Sequence, residues 1–134
     1  MLYFAYGSNL NHYQMKKRCK DSKFLKKINL NNFKLTFRSK HGAADIEYNK
    51  GFIVPGALFE ISKIDEKKLD LYEDFPNLYV KYYFLYNNKK VMTYVMLKKG
   101  LFRFPNEKYF GTILKGYKNC SIDKKYLFTA LRNN

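Results

Sequence analysis

The chain has 134 residues, the length of one ordinary domain, and its 46% apolar and 19% aromatic content argues against intrinsic disorder. The net charge of +15 comes mainly from lysines spread over the whole chain, which favours a solvated lysine coat over a nucleic-acid-binding face. The two isolated cysteines form no metal-ligand motif, and no stretch is apolar enough to span a membrane. We therefore expect a single cytoplasmic domain over residues 1–134, with neither metal nor cofactor.

The N-terminal segment predicts a buried strand, a turn and a short helix. Residues 2–6 are apolar and aromatic and stop at Gly7. Asn9 or Asn11 can cap a helix that runs to about Arg18. Unpaired N–H groups at such a helix start suit a carboxylate or an oxyanion, although a Gly-Ser-Asn stretch is also typical of a plain capped turn.

Three further strands are predicted in the middle of the chain, at residues 24–30, 33–38 and 54–61. Asn31-Asn32 is interpreted as the turn between the first two. Residues 40–52 are interpreted as a loop that contains a short extended segment at 43–46. Because Pro55-Gly56 lies near the start of the last strand, we expect an edge or a bend there.

The next segment predicts a helix with Asp65 as its N-cap, ending at a Phe-Pro pair. Leu69, Tyr72 and Glu73 are spaced to share one helix face. Glu73 and Asp74 lie at the C-terminal end, where a negative charge opposes the helix dipole. This placement indicates either a functional carboxylate that points inward or two solvated side chains that pair with lysines.

The C-terminal third predicts a β-hairpin and two helices. Residues 78–86 and 90–97 flank Asn87-Asn88, a hairpin-turn pair. A helix over 107–116 is predicted to end at Gly116, and another to start at Asp123. The whole pattern indicates an α+β fold, a small mixed β-barrel-like sheet with short flanking helices.

Several of these segments, in this order, resemble the γ-glutamylcyclotransferase superfamily, which includes γ-glutamylamine cyclotransferases and avirulence-induced plant proteins. Residues 6–10 resemble its Y-G-S-N-L signature, and residues 69–73 resemble its L-D-x-x-E motif. The other similar segments are residues 44–46, 54–61, Tyr79 and 105–109. The chain departs from the family pattern at Asp74, where Gly is usual, and at Asn106, where Ser is usual.

The resemblance implies an enzyme that cyclises a γ-glutamyl group to 5-oxoproline and releases an amine or amino acid. It implies Glu73 as the general base and acid, with a pKa raised by burial and further by Asp74 if that side chain is close. The implied substrate-binding residues are Tyr6, Gly7, Ser8, Asn9, Leu10, Tyr79 and Tyr109. The implied partner is a small γ-glutamyl compound. No membrane association is expected, and the spread of lysines disfavours nucleic acid as a partner; the leaving group and the oligomeric state stay open.

Two other interpretations stay open at this point. The same fold could serve as a non-catalytic basic module for nucleic acid or another anionic partner, although such a module has no use for the Glu73 carboxylate. A relative with a different γ-glutamyl chemistry, such as ligation or hydrolysis, is also consistent. Arg38 could pair with a substrate carboxylate, whereas no catalytic role is expected for His12 or His41.

Overall fold

The computed structural model describes residues 1–132 as one mixed five-stranded sheet flanked by helices, which confirms the predicted α+β class. The strands are β1 (Leu2–Ala5), β2 (Lys23–Arg38), β3 (Ala43–Glu60), β4 (Tyr79–Tyr86) and β5 (Lys89–Met96). The α-helices are α1 (His12–Arg18), α2 (Lys63–Tyr72), α3 (Glu107–Asn119) and α4 (Lys125–Arg132), and a 3₁₀ turn spans Ser8–Leu10.

The sheet has the order β2-β3-β1-β5-β4 and curls so that its two edge strands approach each other. β1 and β5 run parallel, and every other neighbouring pair is antiparallel. The rings of Phe33 on β2 and Tyr82 on β4 lie 5.5 Å apart, and Lys26 on β2 sits 5.2 Å over the ring of Tyr86 on β4. These contacts give the sheet the expected barrel-like shape around the buried strand β1.

The long β2–β3 hairpin differs from the prediction. Residues 24–38 form one strand with an irregularity between Asn31 and Phe33, where Asn32 has a φ of +65°. Residues 43–46, predicted as a short extended segment, and residues 47–52, predicted as part of the surrounding loop, all belong to β3. Residues 43–48 pair with residues 33–38 of β2. The loop prediction failed at residues 47–52 because they are mostly polar and exposed. Pairing of Glu47 and Tyr48 with β2 keeps them in the strand without any apolar alternation.

Pro55 and Gly56 lie inside β3, just beyond the last residue of β1 that pairs with it. At that point β3 has a sheet neighbour on one side, the arrangement in which a strand tolerates proline. A Cβ atom on Gly56 would clash with the Ala5 carbonyl oxygen and the Phe4 ring. The glycine therefore lets β3 approach β1 closely at the end of β1 that leads into the turn.

Helix α2 begins earlier than predicted, because Ser62 and not Asp65 is its N-cap. The Ser62 hydroxyl accepts a hydrogen bond from the Asp65 N–H (3.1 Å), and the Asp65 carboxylate accepts one from the Ser62 N–H (3.2 Å). This capping box fixes the start of the helix. At the other end Glu73 donates its N–H to the Leu69 carbonyl (2.8 Å), and the chain then turns through Asp74 at a φ of +49°.

Helix α3 is longer than predicted, and Gly116 is an interior residue of it instead of its C-terminal cap. A Cβ atom there would come within 2.6 Å of Leu10 and of the Asn11 backbone, so the glycine permits close packing of α3 on the 3₁₀ turn. Asn106 caps α3 by accepting the Tyr109 N–H (2.8 Å), the role that a serine at this position would also fill. Within residues 1–132, no helix has both the length and the apolar character needed to cross a membrane.

Candidate active site

A cavity of about 180 Å³ lies where β1 leads into the 3₁₀ turn. Its walls come from that turn, the last residue of α1, the start of β3, the end of α2, strands β4 and β5, and α3. Segments that are distant in sequence therefore meet here. The predicted site residues that line the cavity are Tyr6, Gly7, Ser8, Asn9, Glu73, Tyr79 and Tyr109.

Glu73 contributes the acidic side chain of this cavity. The residue is half-buried at the C-cap of α2, and burial of its carboxyl group raises its pKa to about 7. The nearby Arg18 guanidinium acts in the opposite direction and lowers that pKa. A carboxyl group with a pKa near neutrality is suited to both accepting and donating a proton.

Asp74, the neighbouring carboxylate, faces solvent. Its side chain is exposed and accepts a hydrogen bond from the Asn77 amide (3.2 Å), while its backbone carbonyl accepts from Asn77 and Leu78. Asp74 is not among the groups that shift the Glu73 pKa, so the raised value comes from burial and not from a second negative charge. The two adjacent carboxylates therefore have different surroundings.

The turn at residues 7–10 leaves three backbone donors unpaired. The Leu10 N–H donates to the Gly7 carbonyl (3.1 Å), but the N–H groups of Gly7, Ser8 and Asn9 meet no acceptor within residues 1–132. A Cβ atom on Gly7 would lie 3.1 Å from the Cβ of Ala44, so a larger residue would crowd this wall. Leu10 does not join the cavity: its side chain is fully buried in the core and its N–H is already paired.

The predicted tyrosines hold the backbone around the cavity. The Tyr6 hydroxyl donates to the Tyr94 carbonyl (2.6 Å), and the Tyr79 hydroxyl donates to the Ala44 carbonyl (2.5 Å). The Tyr109 oxygen instead accepts the Ala44 N–H (3.0 Å), which leaves its own O–H available to donate. Burial raises the pKa of Tyr109 to about 12, so this hydroxyl remains protonated at neutral pH.

Arg18 is a cavity residue that the sequence interpretation did not include. It is the last residue of α1, its Nη1 donates to the Asn9 side-chain oxygen (3.1 Å), and its guanidinium lies 4.3 Å over the Tyr72 ring. Among the described residues that line the cavity, Arg18 and Glu73 are the charged ones. The signal in the sequence that could have pointed to Arg18 is that arginine is scarce in a chain with many lysines.

A network of hydrogen bonds and ion pairs next to Glu73 connects strand β5 and helix α2, and the sequence did not predict it. The Tyr94 hydroxyl donates to Asp70 (2.6 Å), the aspartate of the L-D-x-x-E motif. Lys81 forms ion pairs with both Asp70 (3.1 Å) and Glu66 (2.9 Å). Because Asp70 lies one turn before Glu73 in the same segment, this network helps to fix the position of the carboxyl group.

Other polar residues considered from the sequence lie elsewhere. Arg38 pairs with Glu47 (2.9 Å) and donates to the Gly100 carbonyl (2.9 Å), so its guanidinium is used within the hairpin region. His12 packs against the Phe24 ring at 4.8 Å, and burial lowers its pKa. Neither these two residues nor His41 lines the cavity.

Comparisons with known proteins identify the family of this chain. The family model "Gamma-glutamyl cyclotransferase, AIG2-like" matches residues 3–111. Among solved structures, a human protein is 25% identical with a TM-score of 0.82, covering 96% of this chain and 85% of that one. A γ-glutamyl cyclotransferase is 24% identical with a TM-score of 0.82, covering 97% and 85%.

The Bacillus subtilis protein YkqA is 19% identical with a TM-score of 0.80. The match covers 99% of this chain but only 53% of YkqA. No curated protein sequence matches the chain. The family-model match extends over most of the sequence and includes both the 3₁₀ turn and Glu73. The chain belongs to the γ-glutamyl cyclotransferase, AIG2-like family.

Proposed function

We propose that the chain is a γ-glutamylcyclotransferase-type enzyme that converts a γ-glutamyl group to 5-oxoproline and releases an amine or amino acid. The α-nitrogen of the glutamyl group attacks its own γ-carbonyl carbon and closes a five-membered ring. The bond from that carbon to the leaving nitrogen then breaks. The observation that carries the proposal is a carboxyl group with a pKa of about 7 beside unpaired backbone N–H groups.

Glu73 is the proton carrier in this proposal. Its carboxylate takes a proton from the attacking nitrogen, and the resulting carboxylic acid gives that proton to the leaving nitrogen. One residue can serve both steps because, near neutral pH, a pKa of about 7 keeps both of its protonation states populated. An ordinary exposed glutamate, with a pKa of about 4.3, would be a much weaker base.

The 3₁₀ turn supplies stabilisation of the negative charge that develops on the γ-carbonyl oxygen. The N–H groups of Gly7, Ser8 and Asn9 are unpaired within the described residues, so they can donate without breaking an existing hydrogen bond. One such donor in an oxyanion hole contributes about 3 kcal/mol to transition-state stabilisation. The free O–H of Tyr109 is a further donor on the same cavity wall.

The size of the cavity supports a glutamyl group as the enclosed part of the substrate. Its volume of about 180 Å³ is well below that of a site for a drug-sized ligand. A group the size of one amino-acid side chain and its α-carbon fits this space. In this arrangement the leaving group extends out of the cavity toward the surface.

The test is release of 5-oxoproline from a panel of γ-glutamyl amino acids and γ-glutamyl amines. We expect Glu73→Gln to lower kcat by about 100-fold or more, the range for loss of a general acid–base. Asp74→Asn is the matched control, since its carboxylate is adjacent but exposed, and it should retain full activity. Equal rates for Glu73→Gln and the parent refute the role of Glu73; no product from any compound refutes the reaction.

A further inference from the structure

We infer that Arg18 binds the α-carboxylate of the γ-glutamyl group, which leaves the N–H groups of the 3₁₀ turn for the γ-carbonyl oxygen. This inference rests on the proposed function and names a specificity residue for it. In this inference, Arg18 and the unpaired backbone N–H groups bind different oxygen atoms of the same substrate.

The first argument is charge complementarity. Arg18 and Glu73 are the charged side chains among the described residues that line the cavity, and they do not form an ion pair with each other. The glutamyl head group is a zwitterion that carries an ammonium and a carboxylate on one carbon. A small cavity with one unpaired cation and one unpaired anion matches that pair of charges.

The second argument is the geometry of the reaction. Glu73 must face the α-nitrogen in order to take its proton. The α-carboxylate is attached to the same carbon, so its carbon atom lies about 2.5 Å from that nitrogen. The carboxylate must therefore sit close to Glu73, and the side chain that can neutralise it there is Arg18, which lies close enough to influence the Glu73 carboxyl group.

The third argument is that the Arg18 guanidinium is held in place yet largely unpaired. It stacks on Tyr72 (4.3 Å) and donates from Nη1 to the side chain of Asn9 (3.1 Å). Asn9 is itself buried and donates to the Tyr3 hydroxyl (3.0 Å), so the anchor is rigid. The other guanidinium N–H groups meet no acceptor within residues 1–132, and a guanidinium fork binds a carboxylate through two parallel hydrogen bonds.

The experiment compares two ligands that differ only in the α-carboxylate, γ-glutamylbutylamide and 4-aminobutanoyl-butylamide. Binding is measured by chemical-shift titration in the Glu73→Gln background, so that turnover is not needed. We expect Arg18→Gln to weaken binding of γ-glutamylbutylamide by about 10- to 100-fold, the loss of a hydrogen-bonded charge pair. Binding of the carboxylate-free ligand should change by less than about threefold, because Arg18 makes no direct contact with it.

Two further variants make the result specific. Lys17→Gln removes a charge from the exposed neighbouring position on α1 and should leave both affinities unchanged. Arg18→Lys keeps the charge without the planar fork and should show a smaller, carboxylate-dependent loss; it provides the same comparison if Arg18→Gln does not fold. Equal weakening of both ligands by Arg18→Gln, or of neither, overturns the inference. Because binding is measured without turnover, lack of 5-oxoproline release by the parent refutes the proposed function separately.

Discussion

The Glu73→Gln substitution should stabilise the folded protein at alkaline pH while it removes activity. Burial raises the pKa of the Glu73 carboxyl group from 4.5 to about 7. Ionisation in the cavity therefore costs about 3 kcal/mol more than ionisation in the unfolded chain, at 1.36 kcal/mol per pKa unit. Residual exposure of the side chain to water makes this figure an upper value.

The sign follows from proton binding. Between pH 4.5 and about 7 the folded state binds more protons at this position than the unfolded state does, so the free energy of unfolding decreases as pH rises. The contribution is fully present below pH 4.5 and is lost above about 7. The variant cannot ionise at this position, so its stability relative to the parent should rise over the same interval, by at most about 3 kcal/mol or roughly 10 °C in Tm.

Urea unfolding of the variant and the parent at about pH 5 and about pH 8 measures this effect. At each pH the free energy of unfolding of the parent is subtracted from that of the variant, so contributions from the other titrating groups cancel. The control is Asp74→Asn, which removes an adjacent but exposed carboxylate. A stability difference between Glu73→Gln and the parent that stays constant within about 0.5 kcal/mol across this range would refute the claim that the carboxyl group is desolvated.

Substitutions of glycine provide two further predictions. Gly7→Ala places a Cβ atom 3.1 Å from a β3 side chain, so the unpaired amides shift; kcat for 5-oxoproline release should fall about tenfold or more, with thermal stability nearly unchanged. Gly116→Ala forces α3 away from the 3₁₀ turn and should lower the free energy of unfolding by about 1–3 kcal/mol. Gly111→Ala, in the same helix but with open space around it, should instead raise it by up to about 1 kcal/mol. A stabilising Gly116→Ala, or Gly7→Ala with full activity, would contradict these assignments.

Features with a local physical cause could be predicted from the sequence. The β4–β5 hairpin was predicted from Asn87-Asn88, and both residues have positive φ angles, +49° and +65°, which asparagine tolerates. The predicted cap at Asn11 is present, since its side chain accepts the Gln14 N–H (2.9 Å). Asp74 has a φ of +49°, a backbone conformation that glycine adopts without strain.

Features that depend on tertiary contacts could not be predicted in the same way. The residues around Gly116 in the sequence do not show whether this glycine ends helix α3 or permits close packing inside it. The contact that decides is with the 3₁₀ turn, about a hundred residues earlier in the chain. Residues 47–52 of β3 are mostly exposed and show no apolar alternation, so their strand character depends on the continuation of β3 on both sides of them. Arg18 reaches the cavity only because α1 ends beside Tyr72 and Asn9.

The pH dependence of 5-oxoproline release tests the central claim, that Glu73 is the proton carrier, most directly. Because the free-enzyme form that accepts a proton is the ionised one, kcat/KM should rise about tenfold per pH unit below pH 7 and level off above it. The inflection should lie at about 7, the pKa to which burial raises the Glu73 carboxyl group, and Asp74→Asn should show the same profile. A kcat/KM that stays constant from about pH 5 to about pH 8 would contradict the account, because the reaction would then depend on no carboxyl group of raised pKa.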